Sequence, residues 1–127
     1  MTDEQFIADA VEATQKLYPR ICYNGILPFY LKSQGNRDFK SESFKKQILQ
    51  CRDWLAFFNQ RKTINTEYSS YSLKHRVEKW GENYVCNGAL IIAATGLDFK
   101  SKPCNWNSPN VYFNLAKLRK TIKLLNG

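Results

Sequence analysis

The sequence predicts a mostly α protein: a compact single-domain bundle of about five helices, with an irregular or short extended segment at 20–40 and a long loop at 97–110. Three observations lead there. Apolar residues recur at three- and four-residue steps in several windows. Hydroxyl and asparagine residues stand where those windows begin, and glycine or proline where they stop. The 127 residues are 43% hydrophobic and 14% aromatic, enough to fill one modest core and too apolar for a disordered chain.

Taken in order, Thr2 is a hydroxyl cap, with Asp3 and Glu4 in the first turn facing the positive end of the helix dipole. Phe6, Ala10, Ala13 and Leu17 then form a stripe that Pro19 ends, because proline has no backbone donor and restricts its predecessor. From residue 20 to 40 periodicity is lost, and Gly25, Pro28, Gly35 and Asn36 punctuate the chain. The strongest element follows. Ser41 or Ser43 caps a helix over 42–60, in which Phe44, Ile48, Cys51, Leu55 and Phe58 make one buried stripe thickened by Trp54 and Phe57. Residues 61–70, "RKTINTEYSS", read as a connection, with Arg61 and Lys62 near the negative helix end.

Ser69 or Ser70 starts the next helix, with Leu73, Val77 and Trp80 inward and Gly81 placed as its C-cap. Lys74, His75, Arg76 and Lys79 lie on its other sides. A turn, "GENYVCNG", leads to a helix over 88–95 that Asn87 is placed to cap. Ala89, Leu90, Ile91, Ile92, Ala93 and Ala94 leave that helix no polar face, so it is buried all round. In a helix-turn-helix reading only the basic first helix of this pair could meet nucleic acid, with Asn83, Tyr84 and Asn87 in the turn as further contacts. A last helix begins at Asn114 or at Ser108-Pro109, with Leu115, Leu118, Ile122 and Leu125 as its stripe.

Composition narrows the function classes. Residues 1–15 hold four of the 11 acids and no base, leaving all 19 bases against seven acids in the rest; from Phe99 onward there are six bases and no acid. Such a balance suits a polyanion. Lys100, Lys102 and Trp106, with Tyr112 and Phe113, interleave cations and rings as single-strand binders do, although such rings also anchor loops to a core. Lys117, Arg119, Lys120 and Lys123 add a basic ridge. No apolar run is long enough to span a membrane, and the acidic first turns do not resemble a secretory leader, so a cytoplasmic protein is expected. Cys22, Cys51, Cys86 and Cys104 lack zinc-site spacing and read as buried or incidental thiols. His75 is the sole histidine; Glu78 could orient it, but no phosphate loop or paired-carboxylate motif accompanies it. A non-enzyme without cofactor or metal is expected.

The stretch from Tyr71 to Gly96, with "PNVYFNL" at 109–115, resembles short proteins of phages and plasmids. The first expectation is therefore a small basic nucleic-acid-binding protein, helix-turn-helix-like or single-strand-binding, of the kind that serves phage or plasmid regulation. Its contacts would come from Lys74, His75, Arg76, Lys79 and Asn87, from Lys100, Lys102 and Trp106, and from Lys117, Arg119, Lys120 and Lys123. The resemblance also implies a rival: a non-enzymatic inhibitor or adaptor that binds a protein component of a nucleic-acid-processing complex, such as a host defence complex. The mark of that rival would be Asp3, Glu4, Asp9 and Glu12 gathered in one acidic patch.

Overall fold

A computed structural model describes residues 1–28 and 35–116. Its elements run α1 (Asp3–Leu17), β1 (Ile21–Cys22), β2 (Gly25–Ile26), α2 (Glu42–Leu55), β3 (Gln60–Ser69), α3 (Ser70–Gly81), α4 (Asn87–Gly96), β4 (Ser101–Pro103) and β5 (Val111–Leu115). This is an α+β fold, with two antiparallel sheets among the described residues, and not the mostly α bundle of five helices that periodicity predicts.

The helix starts follow their caps. Thr2 Oγ1 accepts from Gln5 N–H at 3.1 Å, Ser41 Oγ from Phe44 N–H at 3.2 Å, and Ser69 Oγ from Ser72 N–H at 3.2 Å. Each fills one of the orphan donors of a first turn. Ser41 Oγ also meets Tyr23 OH at 2.9 Å, which ties the β1–β2 hairpin to α2. Replacing Ser41 by Ala is expected to lower stability by about 1 kcal/mol, read from the midpoint of urea unfolding.

The packing centre is α4. Its residues 87–94 are all buried, and it touches α1, α2, α3 and β2. Phe6, Ile7 and Ala10 of α1 cover it on one side; Phe44, Ile48, Cys51, Trp54 and Leu55 of α2 on another. Leu73 and Val77 of α3 and Val111, Phe113 and Leu115 of β5 complete the core. The stripe of α1 is rotated from the predicted one: Leu17 is 52% exposed, while Ile7 and Thr14 face inward. Thr14 tolerates burial because its hydroxyl donates to Ala10 O at 2.7 Å. No helix among the described residues is long and apolar enough to cross a membrane; α4, the most apolar, has ten residues.

The sheet is where expectation fails. The predicted helix over 42–60 stops at Leu55, since Ala56 to Phe58 tighten into turn hydrogen bonds and the chain then extends. Of residues 61–70, expected as a connection, 61–69 belong to β3 and Ser70 opens α3: Ile64, Thr66 and Tyr68 alternate, and β-branched and aromatic side chains suit a half-covered strand. The loop at 97–110 contains β4. Residues 111–115, helical throughout if the last helix began at Ser108-Pro109 and from 114 if it began at Asn114, are β5, the middle strand in the order β3-β5-β4. Val111, Tyr112 and Phe113 favour a strand, and that local preference prevails over the helical spacing of the leucines. β3 pairs β5 at Gln60↔Leu115, Asn65↔Phe113 and Ser69↔Tyr112 with two bulges between. Asparagines stitch the irregular ladder. Asn65 Nδ2 donates to Leu115 O, and Asn114 Nδ2 to Arg61 O. The expected terminal stripe beyond residue 116 lies outside the described residues.

Gly81, expected as the C-cap of α3, is its last helical residue, and Glu82 carries the left-handed backbone at φ 59°. Glycine at 81 leaves room for a neighbouring side chain. A Cβ there would stand 2.4 Å from Gln50 Nε2, which donates to Val77 O and Asn83 O and so closes the helix end.

Candidate nucleic-acid interface

The corner where α3 turns into α4 gathers the chemistry. One stripe of α3 points outward and reads Tyr71, His75, Lys79, each four residues apart. Tyr71 and His75 meet edge to face at 4.5 Å between centroids. The neighbouring position, Lys74, is only 6% exposed. Its ammonium pairs with Glu78 at 3.1 Å, and lies 4.6 Å from the Tyr84 ring centroid and 5.5 Å from that of Tyr71. A cation over aromatic faces is held by their negative potential. Tyr71 is 51% and Tyr84 64% exposed.

Beside them opens a cavity of about 450 Å³. Tyr71, Lys74 and Tyr84 form one wall; Asn24, Asn87, Pro109 and Asn110 form the other. Asn87 holds that wall together. Its Nδ2 donates to Asn24 O at 3.1 Å, Pro109 O at 3.2 Å and Asn110 Oδ1 at 2.9 Å. These acceptors fix the orientation of the amide, because a flipped one would set oxygen against three oxygens. Oδ1 of Asn87 is itself buried, with no donor among the described residues. At the start of α4 the Gly88 N–H is already taken, donating to Tyr23 O at 2.7 Å.

Charge at the corner is shared. Glu78 accepts from Lys74 and Val85 N–H and meets His75 Nδ1 at 2.9 Å. Burial opposes ionisation of its carboxyl, yet the Lys74 ammonium and the Val85 N–H together outweigh it and hold Glu78 below its usual range. Burial pushes the Cys86 thiol up, and the Cys51 thiol well up, so neither sits in a thiolate-favouring setting.

The structure sorts the predicted contacts. It brings Lys74, His75 and Asn87 to the cavity or its rim and leaves Lys79 exposed one turn along α3. Arg76 turns aside, its guanidinium 5.1 Å from the Tyr68 ring centroid. Asn87 does not cap α4; it is the first helical residue, and Cys86 is the cap. Lys102 stands across Tyr112 from Ser69, the cap of α3, so the β4 edge adjoins the corner. Trp106, on the 104–110 loop that ends at the cavity, is 87% exposed, whereas Phe113 is in the core. Lys100 lies toward the other end of the β4–β5 pair, where its N–H donates to Asn114 Oδ1. Lys117, Arg119, Lys120 and Lys123 lie outside the described residues. Asn24 and Asn110 were not singled out by sequence; their one signal is that each sits beside a turn-forming Gly25 or Pro109. No protein-family model, curated protein or solved structure matches the chain.

Proposed function

We propose that the protein binds single-stranded nucleic acid across the α3–α4 corner and the adjoining β4 edge. One observation carries this reading. Of the six large apolar or aromatic side chains most exposed among the described residues, two (Tyr71 and Tyr84) line the cavity. A third, Trp106, stands on the loop whose Pro109 and Asn110 line it, with Lys79 exposed on α3 and Lys102 on the β4 edge. Rings supply stacking faces for any base, and cations hold the phosphates between them. Duplex reading by α3 is less well supported, since Lys74 and Arg76 are engaged within the fold and α4 is buried. The inhibitor reading loses its marker as well: Asp3 pairs with Arg52 at 2.8 Å and Glu4 with Lys45 at 3.1 Å, so the acids of α1 are partly neutralised by α2.

The test is fluorescence anisotropy of a labelled thymidine oligomer titrated with protein over a range of salt. Each phosphate neutralised on a single strand steepens the salt dependence by about 0.7, so the two exposed cations, Lys79 and Lys102, predict a log–log slope of about −1.4. Reversing Lys79 and Lys102 to Glu should flatten it. Absence of binding at low salt, or an affinity indifferent to salt, would overturn the proposal.

A further inference from the structure

Resting on that reading, we infer that the corner cavity is a pocket for one unstacked base, held against Tyr84 and read through its carbonyl oxygens. The polar groups facing the space decide between base and phosphate. A phosphate site needs free backbone N–H groups or an unpaired cation. Here the Gly88 and Leu90 N–H groups of the first turn of α4 are already bonded, and Lys74 already has Glu78 as its anion. What remains is suited to a flat, neutral, polar ligand: two tyrosine faces, and donors with a fixed direction.

Two donors matter. Asn110 Oδ1 accepts from Asn87 Nδ2, which sets the Asn110 amide so that its own nitrogen is the group left to donate. The Lys74 ammonium has three hydrogens and gives one to Glu78. Both are donors, and the unpaired Asn87 Oδ1 is buried out of a ligand's reach, so the pocket prefers acceptors. Thymine, uracil and guanine present carbonyl oxygens to such groups; a hydrocarbon-like edge leaves them unpaired. Tyr84 is the stacking face because its ring lies closest to Lys74 and it stands free on the α3–α4 turn. The volume, about 450 Å³, falls within the range of small-ligand sites.

The experiment compares short thymidine oligomers that differ at one central position: thymine, its difluorotoluene isostere, and an abasic residue. The isostere keeps shape and ring but lacks the carbonyls. The abasic strand should bind at least about fivefold more weakly than the thymine strand, the smallest effect of losing one stacked base. The isostere should lose roughly tenfold through the polar contacts alone. Tyr84→Ala should lose at least about fivefold and erase the difference between thymine and abasic strands, while Tyr84→Phe restores it. Equal affinity for all three strands, with binding intact, overturns the pocket and leaves single-strand binding standing. An isostere that binds like thymine overturns the carbonyl reading. Thymidine monophosphate binding as tightly as the oligomer would assign the cavity to a free nucleotide and overturn its place on a strand. Failure of every oligomer to bind defeats the underlying reading itself.

Discussion

Gly88→Ala is expected to lower stability by about 3 kcal/mol, seen as an earlier urea midpoint with little change of slope. A Cβ at residue 88 would lie 2.0 Å from Cys22 O, 2.9 Å from Tyr23 O and 3.0 Å from Cys22 C. All three are backbone atoms, so no side chain can swing away to make room. The β1–β2 hairpin must retreat from α4, yet it is tied on both sides: Gly88 N–H donates to Tyr23 O, and Ile26 N–H to Pro109 O. Overpacking at a rigid contact costs about 1–3 kcal/mol and a lost backbone hydrogen bond about 1 more. The same retreat moves Asn24, one wall of the cavity, so strand binding should weaken along with stability. A variant within about 0.5 kcal/mol of the wild type, the ordinary scatter for harmless substitutions, would mean that the hairpin is held far less tightly than this packing implies.

That contact also shows why only part of the protein could be read from its sequence. Helix signals are local. Thr2, Ser41 and Ser69 cap within three residues, and the α2 stripe from Phe44 to Phe58 repeats within one segment, so these elements declare themselves. Strand pairing is not local. β5 meets β3 some fifty residues away, and of the β3 side chains only Asn65 is buried, so its alternation is polar and easily taken for a loop. The leucine spacing after Asn114 offers a competing helical period, which the β-forming Val111–Phe113 overrides. The site divides in the same way. A helical wheel puts Lys74 on the basic side of α3, but its burial depends on Tyr84 and the following turn folding over it. Cavity walls drawn from Asn24, Asn87 and Asn110 exist only once three separated turns converge.

Glu78→Ala is expected to destabilise the protein by about 2–3 kcal/mol near neutral pH. Its carboxylate is the anion for Lys74, whose side chain is 8% exposed, and it also accepts the Val85 N–H that opens the way into α4. Breaking a fully buried pair costs about 3–5 kcal/mol because the remaining charge stays desolvated. Glu78 retains 20% exposure, so water can partly replace it and the loss is set below that range. Glu78→Gln, which keeps an acceptor for Val85 and Lys74, should lose less than Ala. The pH dependence identifies the cause. With its folded pKa lowered beneath the usual 4.5, Glu78 contributes stability that is fully present above that value. The contribution fades as pH falls from there through the folded pKa. Urea midpoints of wild type and Glu78→Ala should therefore stay apart at neutral pH and converge in acid, with the wild type losing more. A gap that persisted unchanged into acid would show that the side chain acts by packing, and the Lys74–Glu78 charge pair would then not be what holds the corner together.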